Sequence, residues 1–314
     1  MFLPLNFFSF LQFLAITGTA VGSGNLSDAE LLGRYPMIVT VGAVLLSLGV
    51  ICDIYLVFRL MRSLAIAEPT VDESLLKIEP KPWGMDDLLF AIGALILAWV
   101  VCEGTVLGAF KLAHVDQDSA LPWLLLVEML LRVVFLFGFV VVFRRRGIDW
   151  RQAVGLRRKP PLHAIAFGGI FFLAMLPPLA VVFPVWAELC HVFHIKDTPQ
   201  DVADLLATSD STLVVVAIVA FAIAVAPVFE EFFFRGFAYP ALKERWGTWR
   251  ALVIVSAAFA AIHLHVPSLG PLFVLAIGLG LSYEFTGSLL APITMHALFN
   301  AVNVGMLLYI RSRS

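Results

Sequence analysis

Eight apolar stretches recur along this chain, at about 37–58, 87–110, 121–143, 162–186, 211–234, 250–264, 270–286 and 289–309, with few charges inside them. A helix needs about 20 residues to cross the hydrocarbon core of a bilayer, and these runs have that length. Inside lipid every backbone polar group must be satisfied within the chain, so the spanning structures open to it are helices and closed barrels. Continuous apolar runs of this length read as helices rather than alternating strands. The expected fold is all-α, a polytopic transmembrane helical bundle of about 8–9 membrane helices.

Composition agrees with that reading. Of 314 residues, 61% are hydrophobic and only 14% are charged, whereas soluble domains carry about 25% charged residues. The mean hydropathy is +0.94. A formal net charge of -2 leaves no basic surplus, so a nucleic-acid partner is excluded. Cys52, Cys102 and Cys190 are scattered without a CxxC pair and read as small apolar residues.

Residues 2–20 are also apolar and uncharged, but they lack the basic start that a signal peptide wants. They read as a ninth span or an interfacial anchor. Between 59 and 86 lies the longest polar linker, where Pro69, Pro80 and Pro82 disfavour a continuous helix, so a loop is expected there. Arg59 and Arg62, then Arg144, Arg145, Arg146 and Arg151 with Arg157, Arg158 and Lys159, then Lys243, Arg245 and Arg250 fall on one side by span count. The positive-inside rule makes that side cytoplasmic, in a multi-pass protein of the plasma (inner) membrane. Pro267, Gly270, Pro271, Gly278, Gly280, Gly287 and Pro292 punctuate the last spans, so one of these is expected to be re-entrant or strongly tilted. If every span crosses, Arg311 and Arg313 emerge opposite the other basic clusters.

Against this background Glu230, Glu231 and Arg235 stand out, because they lie within one of the most apolar segments, residues 226–236. A charge at bilayer depth costs about 2.5–3.5 kcal/mol on insertion scales, which makes such a cluster a functional candidate. On a helix Glu231 and Arg235 are about 40° apart and pair on one face, while Glu230 is about 140° from Arg235 and is left without that cation. Glu230 is therefore the candidate general base toward a trapped water. The spans that follow supply His263, with Phe259 one turn before it, and His296, with Asn300 one turn after it. His263 and His265 face nearly opposite ways, so only one of them lines a given cavity.

Other buried charges have blander readings. Asp53, Glu103, Glu128 and Arg132 read as helix-packing glue, with Glu128 and Arg132 spaced to pair. Glu188, Cys190, His191 and His194 read as a solvated helix end rather than a zinc site.

Taken together these residues resemble the CAAX prenyl protease and bacteriocin-processing family of intramembrane endopeptidases, also called Abi. Glu230-Glu231-x-x-x-Arg235 looks like the family's EExxxR, Phe259-x-x-x-His263 like its FxxxH, and His296-x-x-x-Asn300 like its HxxxN, in the family's order. Gly155-Leu156-Arg157-Arg158 resembles a common lead-in. The resemblance divides the chain into residues 151–314, a protease core with its catalytic cavity, and residues 1–150, N-terminal membrane helices without a family match. It implies peptide-bond hydrolysis inside the membrane, with Glu230 activating water, His263 assisting, His296 and Asn300 stabilising the oxyanion, and Glu231, Arg235 and Phe259 in support.

The implied partners are the lipid bilayer and a membrane protein or lipidated peptide as substrate. The resemblance favours a glutamate-activated water with no metal. Zinc held by Glu230, His263 and His296 is the alternative, although the zinc-protease signature HExxH is absent. From a different class, a non-catalytic immunity or scaffold protein, or a transporter using the buried carboxylates as a proton relay, also accounts for intramembrane charge.

Overall fold

The computed structural model describes residues 36–66, 78, 81–114, 117–156, 160–196, 205–206 and 209–312. The span expected over residues 2–20 lies outside these, as does Arg313. In chain order the described helices are α1 (Pro36–Ile66), α2 (Met85–Leu112), α3 (Gln117–Arg145), a single turn α4 (Trp150–Ala153) and α5 (Pro161–Val192). There follow α6 (Thr212–Trp246), α7 (Thr248–Ala261), α8 (Val266–Thr286) and α9 (Leu290–Arg311). Among the described residues there is no strand, and seven helices are long and apolar enough to cross a membrane, with α7 a shorter apolar helix. The chain is a polytopic helical bundle.

Helix α5 is the post around which the bundle is built: α1, α8 and α9 all pack along it, α7 packs on α8, and α2 packs on α3. Two contacts fix which ends lie together. Leu289, in the turn between α8 and α9, donates its N–H to the Val154 carbonyl at 3.2 Å. Gly155 beside it has φ +77°, and a Cβ there would run into the Gly287 carbonyl, so only glycine fits this crossing. That turn therefore sits at the end of the bundle that carries Arg144, Arg145 and Arg146. At the other end Trp186 of α5 donates from Nε1 to the Val266 carbonyl at 2.9 Å, anchoring the start of α8.

The prolines and glycines between 267 and 292 do not break α8 or α9; the short element among the last spans is α7. Its 14 residues rise only about 21 Å, less than the hydrocarbon thickness, and the chain turns back at residues 262–265. Helices α8 and α9 run the length of the bundle, so Arg311 ends α9 opposite the Arg144 cluster. It is held there by donating to the carbonyls of Leu206 at 2.7 Å and Ser209 at 2.6 Å.

Helix α6 departs most from expectation. The apolar run suggested an end near 234, yet the helix continues past Pro240 to Trp246. Two π-helical stretches, Phe221–Val225 and Phe232–Ala238, flank the α-helical turns Ala226–Glu231. Ala226 donates its N–H to the Phe221 carbonyl and Tyr239 to that of Phe234, each five residues back. Pro227 and Pro240 each stand two residues past a π stretch. A proline in an α-helix removes one backbone bond and clashes with the carbonyl four residues back, and a widened turn moves that carbonyl aside. Thus α6 keeps its course through two prolines, and the acidic pair lies between the two distortions.

Candidate active site

The centre of the site is built on α6, where the i, i+4 spacing of Glu231 and Arg235 is used. Arg235 Nη1 donates to Glu231 Oε1 at 3.0 Å, and both side chains are sealed, 1% and 0% exposed. Nη2 of Arg235 donates across to the Ala276 carbonyl of α8, also at 3.0 Å. Ala276 lies midway along α8, about 15 Å from either end at 1.5 Å per residue, which puts the pair at the depth of the bundle's middle. The guanidinium also lies over the Phe259 ring, 4.6 Å from its centroid, a cation–π contact that is stronger where water is excluded.

A second partner reaches Glu231 from α9. His296 Nδ1 lies 2.9 Å from Glu231 Oε1. An ionised carboxylate only accepts, so Nδ1 carries the hydrogen and the neutral ring presents Nε2 as a lone pair. That Nε2 is 3.9 Å from Oε2 of Glu230. Glu230 differs from its neighbour in being 12% exposed; Oε2 of each carboxylate is buried with no hydrogen-bond partner among the described residues. Among the described residues Glu231 is ion-paired with Arg235, while Glu230 makes no ion pair with it although it lies close enough to feel its charge.

Phe259, wholly buried on α7, gathers the remaining groups. Its ring centroid is 5.0 Å from that of His263, 5.7 Å from that of His296 and 5.3 Å from that of Phe234. His263 stands in the turn that closes α7, with Nδ1 2.8 Å from the Phe259 carbonyl. A carbonyl cannot donate, so this ring too carries its hydrogen on Nδ1 and offers Nε2. His265 is turned away, with Nδ1 2.6 Å from Ser268 Oγ at the start of α8.

Asn300 faces α6, as its spacing from His296 requires, but it meets a different group. Its Nδ2 donates to the Ala222 carbonyl at 2.7 Å, within the first π stretch. That carbonyl is orphaned for two reasons: the N–H of Ala226 has gone to Phe221, and the residue five beyond Ala222 is Pro227, which has none. A buried carbonyl without a donor is costly, and Asn300 fills the vacancy. One hydrogen of its amide remains.

Glu128 and Arg132 pair along α3 at 2.8 Å. Among the described residues no three His, Cys, Asp or Glu side chains converge to hold a metal ion. Glu230, His263 and His296 are therefore not drawn together as a three-ligand set, although an Nδ1–H held by a carboxylate leaves Nε2 of His296 a competent ligand.

Two participants had no sequence signal: the Ala276 carbonyl, because any residue supplies one, and the orphaned Ala222 carbonyl, because π winding is not visible as a motif. A fixed proline two residues beyond Val225 was the only available clue.

Fold and site together define a polytopic helical membrane protein with a buried carboxylate–histidine centre. The family model for the type II CAAX prenyl endopeptidase Rce1-like proteins matches residues 212–302, from the start of α6 into α9. The segment carrying all three motifs is thus similar to the CAAX prenyl endopeptidases. No curated protein and no solved structure matches the chain.

Proposed function

We propose that this chain is an intramembrane endopeptidase that hydrolyses peptide bonds of membrane-bound or lipid-modified proteins with a water activated by Glu230. The observation that carries the reading is the buried, unpartnered Glu230 Oε2 facing His296 Nε2 at 3.9 Å, in the segment matched by the CAAX-protease family. A separation above 3.5 Å between two acceptors suits a bridging water. Both neighbours of that water accept, so each takes one of its hydrogens and the oxygen lone pair is aimed outward.

In the proposed reaction Glu230 removes a proton from the water as its oxygen attacks the scissile carbonyl, and returns it to the leaving amide nitrogen. His263 presents Nε2 as a second acceptor near the same aromatic wall. His296 accepts the water's other hydrogen at Nε2 and becomes a donor to the oxyanion only by taking that proton, which leaves the acyl product as a carboxylate. The second amide hydrogen of Asn300 is the other oxyanion donor in this scheme. Glu231 and Arg235 hold the His296 ring in one tautomer. By the positive-inside rule the Arg144 end is cytoplasmic, and the proposed site lies at the middle depth of the bundle.

The test is a comparison of membrane-protein termini in cells carrying wild type and Glu230→Gln. New C-termini lost in the variant, at equal protein level, support the reading. Identical termini in the two strains would sink it.

A further inference from the structure

Among the described residues, the linker between α1 and α2 sends Ile78 and Trp83 into the core of the bundle. Trp83 is 2% exposed. Its ring is stacked between Phe143 of α3, at 4.8 Å and 15°, and Phe237 of α6, at 5.7 Å and 24°. Its Nε1 donates to the Phe237 carbonyl at 3.1 Å, inside the second π stretch. Close by, Ile78 of the same linker donates its N–H to Glu284 of α8 at 3.4 Å, and Glu284 also accepts from Tyr239 at 2.6 Å and from Lys243 at 2.5 Å, both on α6.

The aromatic cluster reads the winding of α6. Phe139 lies 5.5 Å from Phe232 and 4.7 Å from Phe237, so two residues five apart on α6 meet the same ring. In an α-helix they would be about 140° apart and could not both do so. A π turn closes between residues five apart and stacks them on one face. Phe143 also touches both, at 6.3 and 6.2 Å. The π stretch begins immediately after Glu231 and contains Arg235. Rewinding it as α-helix would leave Glu231 and Arg235 able to pair at i, i+4, but would turn Arg235 relative to the Ala276 carbonyl of α8.

We propose that Trp83 is a positioning residue that holds α6 in its π-wound register, and so keeps the Glu231–Arg235–His296 network aligned beside Glu230. The N-terminal half of the chain is thereby part of the site although the family match begins only at residue 212. The kinetic arm of the test rests on the peptidase reading above; the distance arm does not.

The experiment uses the full chain in detergent with Cys52, Cys102 and Cys190 replaced by alanine and nitroxide labels at cysteines replacing Leu162 and Glu244. Electron–electron distance distributions are compared for wild type, Trp83→Ala and Trp83→Phe, alongside turnover of a farnesylated fluorogenic peptide. Trp83→Ala should show a second distance population and kcat lower by about tenfold or more at unchanged KM. Trp83→Phe keeps a ring in the stack and loses only the N–H donor, so it should lie between the two. Trp83→Phe matching wild type in both distance and kcat overturns the proposal, even if Trp83→Ala fails to fold. A fall in kcat with an unchanged distance distribution overturns it as well. Shifted distances in a protein whose wild type cleaves no peptide uphold the register role and remove the peptidase reading instead.

Discussion

Two ion pairs in this bundle have the same residues at the same spacing, Glu128 with Arg132 on α3 and Glu231 with Arg235 on α6, closing at 2.8 and 3.0 Å. The first is 28% and 26% exposed at its two side chains, the second 0% and 1%. On α3 the guanidinium folds back on its own helix, reaching the Glu128 carbonyl at 3.3 Å, and its outer faces meet Phe221 and Phe229. On α6 the pair is joined by His296 from α9, the Ala276 carbonyl from α8 and the Phe259 ring from α7. The α6 pair is closed over by three other helices that share its charges, whereas the α3 pair meets one, through two aromatic rings of α6.

The largest expected effect separates the two pairs directly. Arg235→Met leaves Glu231 buried without its cation and should cost about 3–5 kcal/mol, seen as loss of folded protein in thermal unfolding in detergent. Arg132→Met should cost about 0.6 kcal/mol, with about 1.7 as the upper bound for such membrane contacts. Equal losses would break the comparison.

Next comes catalysis without destabilisation. Glu230→Gln should lower turnover by about 10²–10⁴-fold, the range for loss of a general base, while its unfolding temperature stays at or above that of wild type because a desolvated charge is removed. Glu128→Gln should leave turnover at the wild-type level. The same peptide assay and melting curve check both.

A smaller effect is expected where Asn300 donates to the Ala222 carbonyl. Asn300→Ala orphans that carbonyl and should destabilise by about 1–3 kcal/mol, and hydrogen exchange should rise around residues 221–227. Unchanged protection there would show that the π stretch does not depend on its donor.

The smallest effects come from pairwise coupling. A double-mutant cycle on Glu231 and His296 should return about 0.5–3 kcal/mol, the range for residues sharing one network. The same cycle on Glu128 and Arg132 should fall near the bottom of the membrane range, about 0.6 kcal/mol. A larger value on α3 than on α6 would reverse the ranking of the two pairs.

Much of this was legible along the chain. The lengths of the apolar runs fixed the helices to within a few residues for α2, α3, α8 and α9, since each must satisfy its backbone within lipid. Helical spacing set Glu231 against Arg235 and left Glu230 apart, because angles around a helix axis follow from residue number alone. The run ending at 234 misled for α6, whose continuation through Pro240 depends on π winding.

What the sequence by itself determined is thus local and periodic: the membrane-spanning helices, the paired and unpaired carboxylates, and the faces that carry His263, His296 and Asn300. Tertiary structure alone decided what those faces meet. It gave His296 to Glu231, Asn300 to an orphaned carbonyl, and both histidines to the Phe259 ring, and it brought Trp83 from a distant linker onto the π stretch. Such contacts join residues far apart in the chain, and they depend on how helices tilt and wind against one another, which no spacing within one helix encodes.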